Sequence, residues 1–183
     1  MKLTLASASP RRVELIKKLD YLEVTVKPSA VNEIITKDNP REIVMELAEQ
    51  NARAVCEGEL TLGADTMVFL DDAKLGKPKS VEEAYEMFRR LCGRTHSVIT
   101  GVCLTDKSKC VTSCEESFVT FAPYDDKIVT NYVQTGKPFD KAGGYGLQDS
   151  ELASLIKEVT GDYDNVLGLP VRLVDTLVRE NFT

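Results

Sequence analysis

The sequence lacks several features that would place the protein in a specialised class. No run of apolar residues approaches the length that a membrane span needs, and the N-terminus shows no signal-peptide pattern. No internal repeat, low-complexity tract or linker rich in Gly, Ser or Pro interrupts the 183 residues. We therefore expect a cytoplasmic protein without membrane association, with residues 1–183 forming one domain rather than two independent ones.

The cysteine pattern does not suggest a disulfide framework. The chain has five cysteines, an odd number, and no two of them form a CxxC pair. This pattern is typical of reduced thiols in a cytosolic protein. Cys110 and Cys114 lie four residues apart in an expected strand, which leaves a metal-binding pair as an open alternative.

Basic residues are outnumbered by acidic ones, 23 to 29, so the net charge is −6 at pH 7. Nonspecific affinity for nucleic acid comes from neutralising many phosphates, so this balance argues against a nucleic-acid partner. Any site for a small anion must then be formed by locally concentrated cations and backbone donors.

Histidine is nearly absent, and this limits the possible reaction types. The single histidine, His96, lies in an expected strand, and neither a GxSxG elbow nor a nucleophilic cysteine motif accompanies it. These absences argue against a Ser-His-Asp or Cys-His hydrolase, and we interpret His96 as a core or edge residue. A hydrolase with this sequence would use a carboxylate to activate water, together with a metal.

The apolar periodicity predicts helices and strands in alternation. Three helices have clear starting signals: Ser9–Pro10, Asn39–Pro40, and the capping box of Ser80 and Glu83. Further helices are expected over residues 124–135, ending at Gly136, and from Pro170 onward. Strands are expected over residues 2–7, 60–70, 96–105 and 110–122, with turns at Asp71–Asp72 and at residues 106–109. One hairpin among interspersed helices predicts an α/β fold with a mixed sheet.

The first helix start carries two adjacent arginines, Arg11 and Arg12. A helix start offers unpaired N–H groups and partial positive charge, and Ser7 and Ser9 add hydroxyl donors. Two guanidiniums suit phosphate oxygens, with each close ion pair worth on the order of 4 kcal/mol at an effective dielectric near 20. The segment therefore predicts a phosphate site; the alternative is a solvated first turn with one arginine paired to Glu14.

Two further segments carry polar groups in unusual places. Asp65 lies within the apolar strand "LTLGADTMVFL", where an ionised carboxylate must be paired, hydrogen-bonded or bound to metal. We interpret it as a general base or metal ligand, the alternative being a structural Asp satisfied by backbone amides. Lys77 follows Gly76 without a GxxxxGK[ST] arrangement, so no nucleotide P-loop is present. The loop "DKAGGYGLQ" adds Lys141 and Gln148 beside glycines that allow a ligand to approach closely.

In this order, the three segments resemble the Maf family of nucleoside triphosphate pyrophosphatases. The similarity runs nearly end to end through "LASASPRRVELI", "GADTMVFLDDAKLGKPKSVEEAYEMFRRLCGRTHSVITGV", "YVQTGKPFDKAGGYGLQ" and "GDYDNVLGLPV". The resemblance implies a mixed twisted α/β sheet with flanking helices, forming two lobes around a deep cleft as in inosine triphosphate pyrophosphatases. It also implies a cytoplasmic homodimer that uses Mg²⁺ or Mn²⁺ to hydrolyse a nucleoside triphosphate to the monophosphate and pyrophosphate.

The resemblance also suggests a role for each candidate residue. Asp65 matches the proton acceptor of the family, and Glu33 falls where the family has an acidic residue near the metal, so the expected metal ligands are Glu33 and Asp65. The phosphate-side positions are Ser7, Arg11, Arg12, Lys77 and Lys141, and the positions linked to base selection are Arg11, Thr66 and Gln148. "ADT" rather than "SDQ" resembles the dTTP/UTP branch.

The chain departs from the family pattern at three positions: Asn51 stands where a lysine is usual, Lys137 replaces a glutamate, and Asp149 replaces a glycine. Two other functions are therefore kept in view. One is hydrolysis of modified pyrimidine nucleotides, a pool-sanitising activity. The other is a nucleotide-binding regulator of septum formation or cell division with weak or no turnover.

Overall fold

The computed structural model describes residues 1–71 and 73–183. The helices of the described residues are α1 Pro10–Ile16, α2 Pro40–Val55, α3 Val81–Leu91, α4 Asp126–Gln134, α5 Tyr163–Leu167 and α6 Val171–Asn181. The strands are β1 Lys2–Leu5, β2 Glu23–Val26, β3 Thr61–Leu70, β4 Ala73–Leu75, β5 Thr95–Thr105, β6 Cys110–Phe121 and β7 Ile156–Thr160. Short 3-10 turns occupy Lys137–Asp140, Ala142–Gly144 and Ser150–Leu152.

The strands of the described residues form one mixed sheet of seven strands, in the order β2-β1-β3-β5-β6-β7 with β4 beside β3. β1 runs parallel to β2 and β3, whereas β3–β4 and β6–β7 are antiparallel pairs. The expected hairpin between β5 and β6 is present, because the N–H of Asp106 donates to Lys109 O at 3.2 Å and that of Phe121 donates to Arg94 O at 3.0 Å. The predicted mixed α/β class is confirmed. Asp71 occupies a turn with φ 55°, and Asp72 lies outside the described residues.

The three helix starts follow the capping chemistry in the sequence. The side chains of Ser9, Asn39 and Ser80 accept hydrogen bonds from backbone N–H groups of the first turns of α1, α2 and α3. One detail differs from the predicted capping box: the Glu83 carboxylate accepts from the N–H of Lys79 at 2.7 Å, one residue before the cap.

The apolar faces are close to those expected. The apolar spacing of the sequence predicts an inner face for α3 and one for α6, and all residues of both faces are buried: Ala84, Met87, Phe88 and Leu91 in α3, and Val171, Val174, Leu177 and Val178 in α6. In α4 the expected inward residue Ile128 is only half-buried, and its neighbour Val129 is fully buried. Val129 lies three and four residues before Tyr132 and Val133, the spacing that places side chains on one face of a helix.

Helix α2 lies directly against two strands because glycines replace side chains at the contact. A Cβ at Gly63 of β3 would lie 2.1 Å from Ala48 O, and one at Gly101 of β5 would lie 2.2 Å from Val44 O. Neither distance is possible for a real side chain, so both glycines are required for this approach. The contact fixes α2, whose exposed face carries part of the candidate site.

The described residues divide into two compact units. The first comprises Met1–Thr66, Ile99–Glu115 and Asp164–Thr183, and the second comprises Met67–Val98 and Glu116–Tyr163. In the part of the chain that the structure describes, no helix is both long and apolar enough to cross a membrane. The cysteines of this part are free thiols, and the Sγ atoms of Cys103 and Cys110 lie 3.5 Å apart.

His96 belongs to the core of the second unit, as predicted. It is 2% exposed, its Nε2 lies 2.6 Å from the Tyr145 hydroxyl, and the rings of Phe121 and Tyr145 pack against it edge to face. Burial lowers the pKa of His96 to about 4. The ring is therefore neutral at pH 7 and packs as an aromatic core residue.

Candidate active site

The guanidinium of Arg12 is held in a fixed orientation within the first unit. Its Nε donates to Gly168 O at 2.8 Å, Nη2 donates to the hydroxyl of Thr66 at 3.0 Å, and Nη1 donates to that of Ser7 at 3.4 Å. Ser7 is buried and also accepts from the N–H of Ser9 at 3.2 Å. Arginine has five N–H donors, so these contacts orient the planar group while leaving further donors for a ligand.

Thr66 connects Arg12 to the interior of the unit. The hydroxyl of Thr100 donates to Asn165 O at 3.0 Å and lies 2.9 Å from the hydroxyl of Thr66. Each hydroxyl has one proton, and that of Thr100 goes to Asn165 O. The Thr66 hydroxyl therefore accepts from Arg12 and has two possible acceptors, Thr100 Oγ1 at 2.9 Å and Gly168 O at 3.4 Å, of which Thr100 is the nearer. The hydrogen bonds therefore run in one direction, from the guanidinium through two threonines to a buried carbonyl in α5.

The backbone conformation of Gly168 allows its carbonyl oxygen to accept the hydrogen bond from Arg12 Nε. Its φ is +116°, in the region that side chains other than glycine rarely adopt, and its N–H donates to the carbonyl groups of Asp164 and Asn165. A Cβ at this position would also lie 3.7 Å from both Arg12 Nε and Thr66 Oγ1. Glycine is thus favoured here by its backbone conformation.

Charged groups of both signs surround Arg12. Burial lowers the pKa of Arg12, Asp65 raises it, Arg11 lowers it further and Glu33 raises it. The guanidinium remains charged at neutral pH because its ordinary pKa is far above 7. The structure therefore brings the two arginines and the two carboxylates into one electrostatic neighbourhood. Asp65 is half-buried in β3 and Glu33 is exposed.

Asn51 of α2 reaches the same neighbourhood by holding Glu33. Its Nδ2 donates to Glu33 Oε1 at 2.8 Å and to Leu47 O at 3.0 Å. Glu33 belongs to an exposed segment without regular structure between β2 and α2. The side chain of Gln50 also binds this segment, through the N–H and C=O of Ile34 at 2.9 and 2.6 Å. The consecutive side chains of Gln50 and Asn51 thus hold Ile34 and Glu33 against α2.

The candidate residues of the second unit are Lys77, Lys141 and Gln148. Their loops are joined at the backbone, since the N–H of Gly143 donates to Gly76 O at 3.0 Å. Lys77 and Gln148 are exposed, whereas the side chain of Lys141 is only 11% exposed.

Lys137 also belongs to the second unit, in the 3-10 turn before Lys141. Its ammonium pairs with Glu151 Oε1 at 2.7 Å, so its charge is balanced locally.

The structure thus groups Ser7, Arg11, Arg12, Glu33, Asp65 and Thr66 in the first unit, and places Lys77, Lys141 and Gln148 on neighbouring loops of the second. Sequence reasoning missed Thr100, Asn165 and Gly168, which complete the surroundings of Arg12. The available signals were a threonine inside an apolar strand and the segment "GDYDNVLGLP", but neither shows its partner.

The chain is similar to known proteins over nearly its whole length. A family model described as Maf-like protein matches residues 2–181. The chain belongs to the Maf family. Three Maf relatives, each named dTTP/UTP pyrophosphatase, are similar over nearly the whole chain. That of Bacillus cytotoxicus is 45% identical and covers 98% of this chain and 93% of its own. That of Symbiobacterium thermophilum is 44% identical with 97% and 93% covered, and that of Thermosipho melanesiensis is 38% identical with 97% of each covered.

A solved structure supports the Maf fold as well. The Staphylococcus aureus Ham1 protein superposes with a TM-score of 0.56 and 11% identity, covering 98% of this chain and 99% of its own. At that identity the likeness concerns the fold alone. It agrees with the fold class predicted from the sequence.

Proposed function

We propose that this Maf protein hydrolyses dTTP and UTP to the nucleoside monophosphate and pyrophosphate. The observation that carries the proposal is the Arg12 guanidinium, which is oriented by Gly168 and Thr66 and interacts electrostatically with Asp65, Arg11 and Glu33. Cations that bind phosphate and carboxylates that activate water are the groups that phosphoanhydride hydrolysis requires. The names of the relatives support the same substrates.

In this proposal the oriented donors bind the triphosphate. Ser7, Arg11 and Arg12 contact phosphate oxygens in the first unit, and Lys77 and Lys141 are the phosphate-binding residues of the second. Arg11, Thr66 and Gln148 contribute to base selection. Because the Thr66 hydroxyl already joins Arg12 to Thr100, its contribution acts through the orientation of Arg12.

Asp65 is proposed to act on water. Its carboxylate orients a water molecule and accepts a proton as the water oxygen attacks the α-phosphorus. The bond from that phosphorus to the bridging oxygen of the β-phosphate breaks, and pyrophosphate leaves with the electron pair. A positioned base of this kind contributes roughly 10²- to 10⁴-fold to rate.

The two carboxylates fit a hard divalent cation. Mg²⁺ takes oxygen ligands and is usually held by one or two carboxylates together with waters and substrate phosphates. Asp65 and Glu33 both raise the pKa of Arg12, and these two carboxylates would hold Mg²⁺ or Mn²⁺. The described residues include no group of three or more His, Cys, Asp or Glu side chains that could hold a metal ion. When bound, the cation neutralises phosphate charge.

A nucleotide panel tests the proposal. The protein is incubated with dTTP, UTP, CTP, ITP, 5-methyl-UTP, pseudo-UTP and 7-methyl-GTP, with Mg²⁺ or Mn²⁺, and the products are identified. We expect pyrophosphate from dTTP and UTP; orthophosphate as the product would contradict the scheme. Faster turnover of the modified pyrimidines would make them the substrates, and tight UTP binding without turnover would favour the regulator.

Asp65→Asn provides the matched variant. It removes the base while preserving size, so we expect activity to fall by about 10²-fold or more with triphosphate affinity largely retained. An active Asn variant would show that another group accepts the proton.

We further propose that the protein is a cytoplasmic homodimer. Light scattering on the purified protein tests the dimer, because it gives the mass of the particle in solution.

A further inference from the structure

Lys141 is surrounded by oxygen atoms in the second unit. Its Nζ donates to Lys137 O and to Asp140 Oδ1, both at 2.7 Å, and Asp149 Oδ2 lies 3.7 Å away. An ammonium has three N–H donors; two of them make these hydrogen bonds, and the contact with Asp149 at 3.7 Å is an ion pair beyond hydrogen-bond distance. A phosphate oxygen that binds Lys141 would therefore meet an ammonium that the Asp149 carboxylate already attracts, and the two negative groups would repel each other.

Asp149 cannot readily follow Lys141 if the lysine moves. The same oxygen, Oδ2, accepts a hydrogen bond from the hydroxyl of Tyr132 at 2.6 Å, and Tyr132 is fully buried in α4. Burial and the bond to Asp149 raise the pKa of Tyr132, so the hydroxyl remains a donor at neutral pH. Asp149 is thus attached to a rigid core residue on one side and faces the ammonium on the other.

Gly146 makes the approach of these two charges possible. A Cβ at this position would lie 2.8 Å from Asp149 Oδ2 and 3.0 Å from Lys141 Cε. The glycine therefore leaves space that the carboxylate and the lysine stem fill together. The side chains of Lys141 and Asp149 are only 11% and 14% exposed, so water screens their attraction less than it would at an open surface.

We propose that Asp149 is a positioning residue that restrains Lys141 and lowers the affinity of the protein for polyphosphate anions. The inference rests on the proposed function for Lys141 as a phosphate ligand. Asp149 competes with phosphate for the ammonium and repels the incoming anion, and it touches neither the substrate nor the reacting atoms. Its removal therefore changes binding more than the chemical step.

The test compares Asp149→Asn with Tyr132→Phe in the full-length chain. The first removes the charge but keeps an oxygen for Tyr132, and the second removes the tyrosine hydroxyl but keeps the charge. With inorganic tripolyphosphate as the probe in calorimetry, we expect Asp149→Asn to bind roughly fivefold tighter, the order of effect of one ion pair. Tyr132→Phe keeps the negative charge and only frees the carboxylate from its anchor, so its gain in affinity should be much smaller. KM for UTP should fall in parallel for Asp149→Asn while kcat changes little.

A second measurement follows Lys141 without nucleotide or turnover. Acetylation of Lys141 by an amine-reactive reagent, quantified by peptide mass spectrometry, should be severalfold faster in Asp149→Asn than in Tyr132→Phe. Gly146→Ala, which forces the carboxylate and lysine apart, should change tripolyphosphate affinity and labelling in the same direction as Asp149→Asn. Unchanged affinity or unchanged labelling in folded Asp149→Asn would overturn the inference. A protein that hydrolyses no triphosphate yet shows both changes would overturn the proposed function and leave the restraint standing.

Discussion

Asn51 Nδ2 donates to Glu33 Oε1 at 2.8 Å, so a neutral amide of α2 holds a carboxylate of the neighbouring loop. The family resemblance predicts a lysine where Asn51 stands. In this chain a hydrogen bond from a neutral side chain holds Glu33, where a lysine would add a positive charge. Substitution of Asn51 by lysine tests the effect of that charge.

Asn51→Lys adds a cation beside Glu33, near Arg12. We expect tripolyphosphate to bind a few-fold tighter, since one partly screened charge contributes up to about 1 kcal/mol. Calorimetry at low and high salt measures the effect, which should shrink as salt rises. Ala54→Lys adds the same charge at an exposed position of α2 and serves as the control; an equal gain there would mean that only net charge matters.

Thr66→Val keeps the shape of the side chain and removes its hydroxyl. Arg12 then loses an acceptor and Thr100 a donor, and we expect unfolding free energy to fall by about 1–3 kcal/mol. Tripolyphosphate affinity should fall as well, because Arg12 is less well oriented. Urea unfolding and calorimetry measure the two effects. Thr66→Ser retains the hydroxyl and should restore most of both; failure to do so would assign the effect to the methyl group.

His96 predicts how stability depends on pH. Its pKa in the folded protein is about 4, below the ordinary value near 6.5, so the unfolded chain binds more protons between these values. Stability is therefore lost as pH falls from 6.5 towards 4, by on the order of 3 kcal/mol from this group. Urea unfolding at a series of pH values measures the slope. His96→Gln cannot titrate and should flatten the curve between pH 6.5 and 5, where carboxylates contribute little; an unchanged curve would show that His96 is not responsible.

Gly101→Ala tests the contact of α2 with the sheet. The added Cβ would lie 2.2 Å from Val44 O, and moving the helix to relieve this overlap should cost about 3 kcal/mol of unfolding free energy. Urea denaturation followed by circular dichroism measures the loss. Gly76→Ala is the control, since nothing lies within 4 Å of the added carbon there. Equal stability of the two variants would show that α2 adjusts freely.

We also propose that residues 1–183 unfold as one domain. Strands β3, β5 and β6 each have residues in both compact units, so each of these strands belongs to both units as one continuous segment. Far-ultraviolet circular dichroism and tyrosine fluorescence should report the same urea transition. Two separated transitions would show that the units are independent domains.

Much of the fold was predictable because its signals are local. Ser9, Asn39 and Ser80 mark helix starts by side-chain chemistry, and the long apolar run of β3 marks a central strand. β2 and β7 were missed because they are short edge strands at opposite ends of the strand order. An edge strand pairs on one side only and needs no continuous apolar run.

The candidate site was predictable only in part, for a related reason. Arg11, Arg12 and Asp65 stand out because charge is unusual at those places in the sequence. The acceptors that orient Arg12 are two hydroxyls and a glycine carbonyl, common groups whose role is set only by folding. Likewise, no local pattern shows that Asp149 meets Lys141 or that Asn51 meets Glu33.

The bond between Arg12 and Gly168 spans 156 positions of the chain, and this separation has a consequence for biosynthesis. A ribosome extends the polypeptide from its amino end, so Arg12 is made 156 residues before the carbonyl that orients it. A nascent chain stopped before Gly168 would carry the arginine pair without this anchor, and the orientation of Arg12 would be completed only after residue 168 has been added.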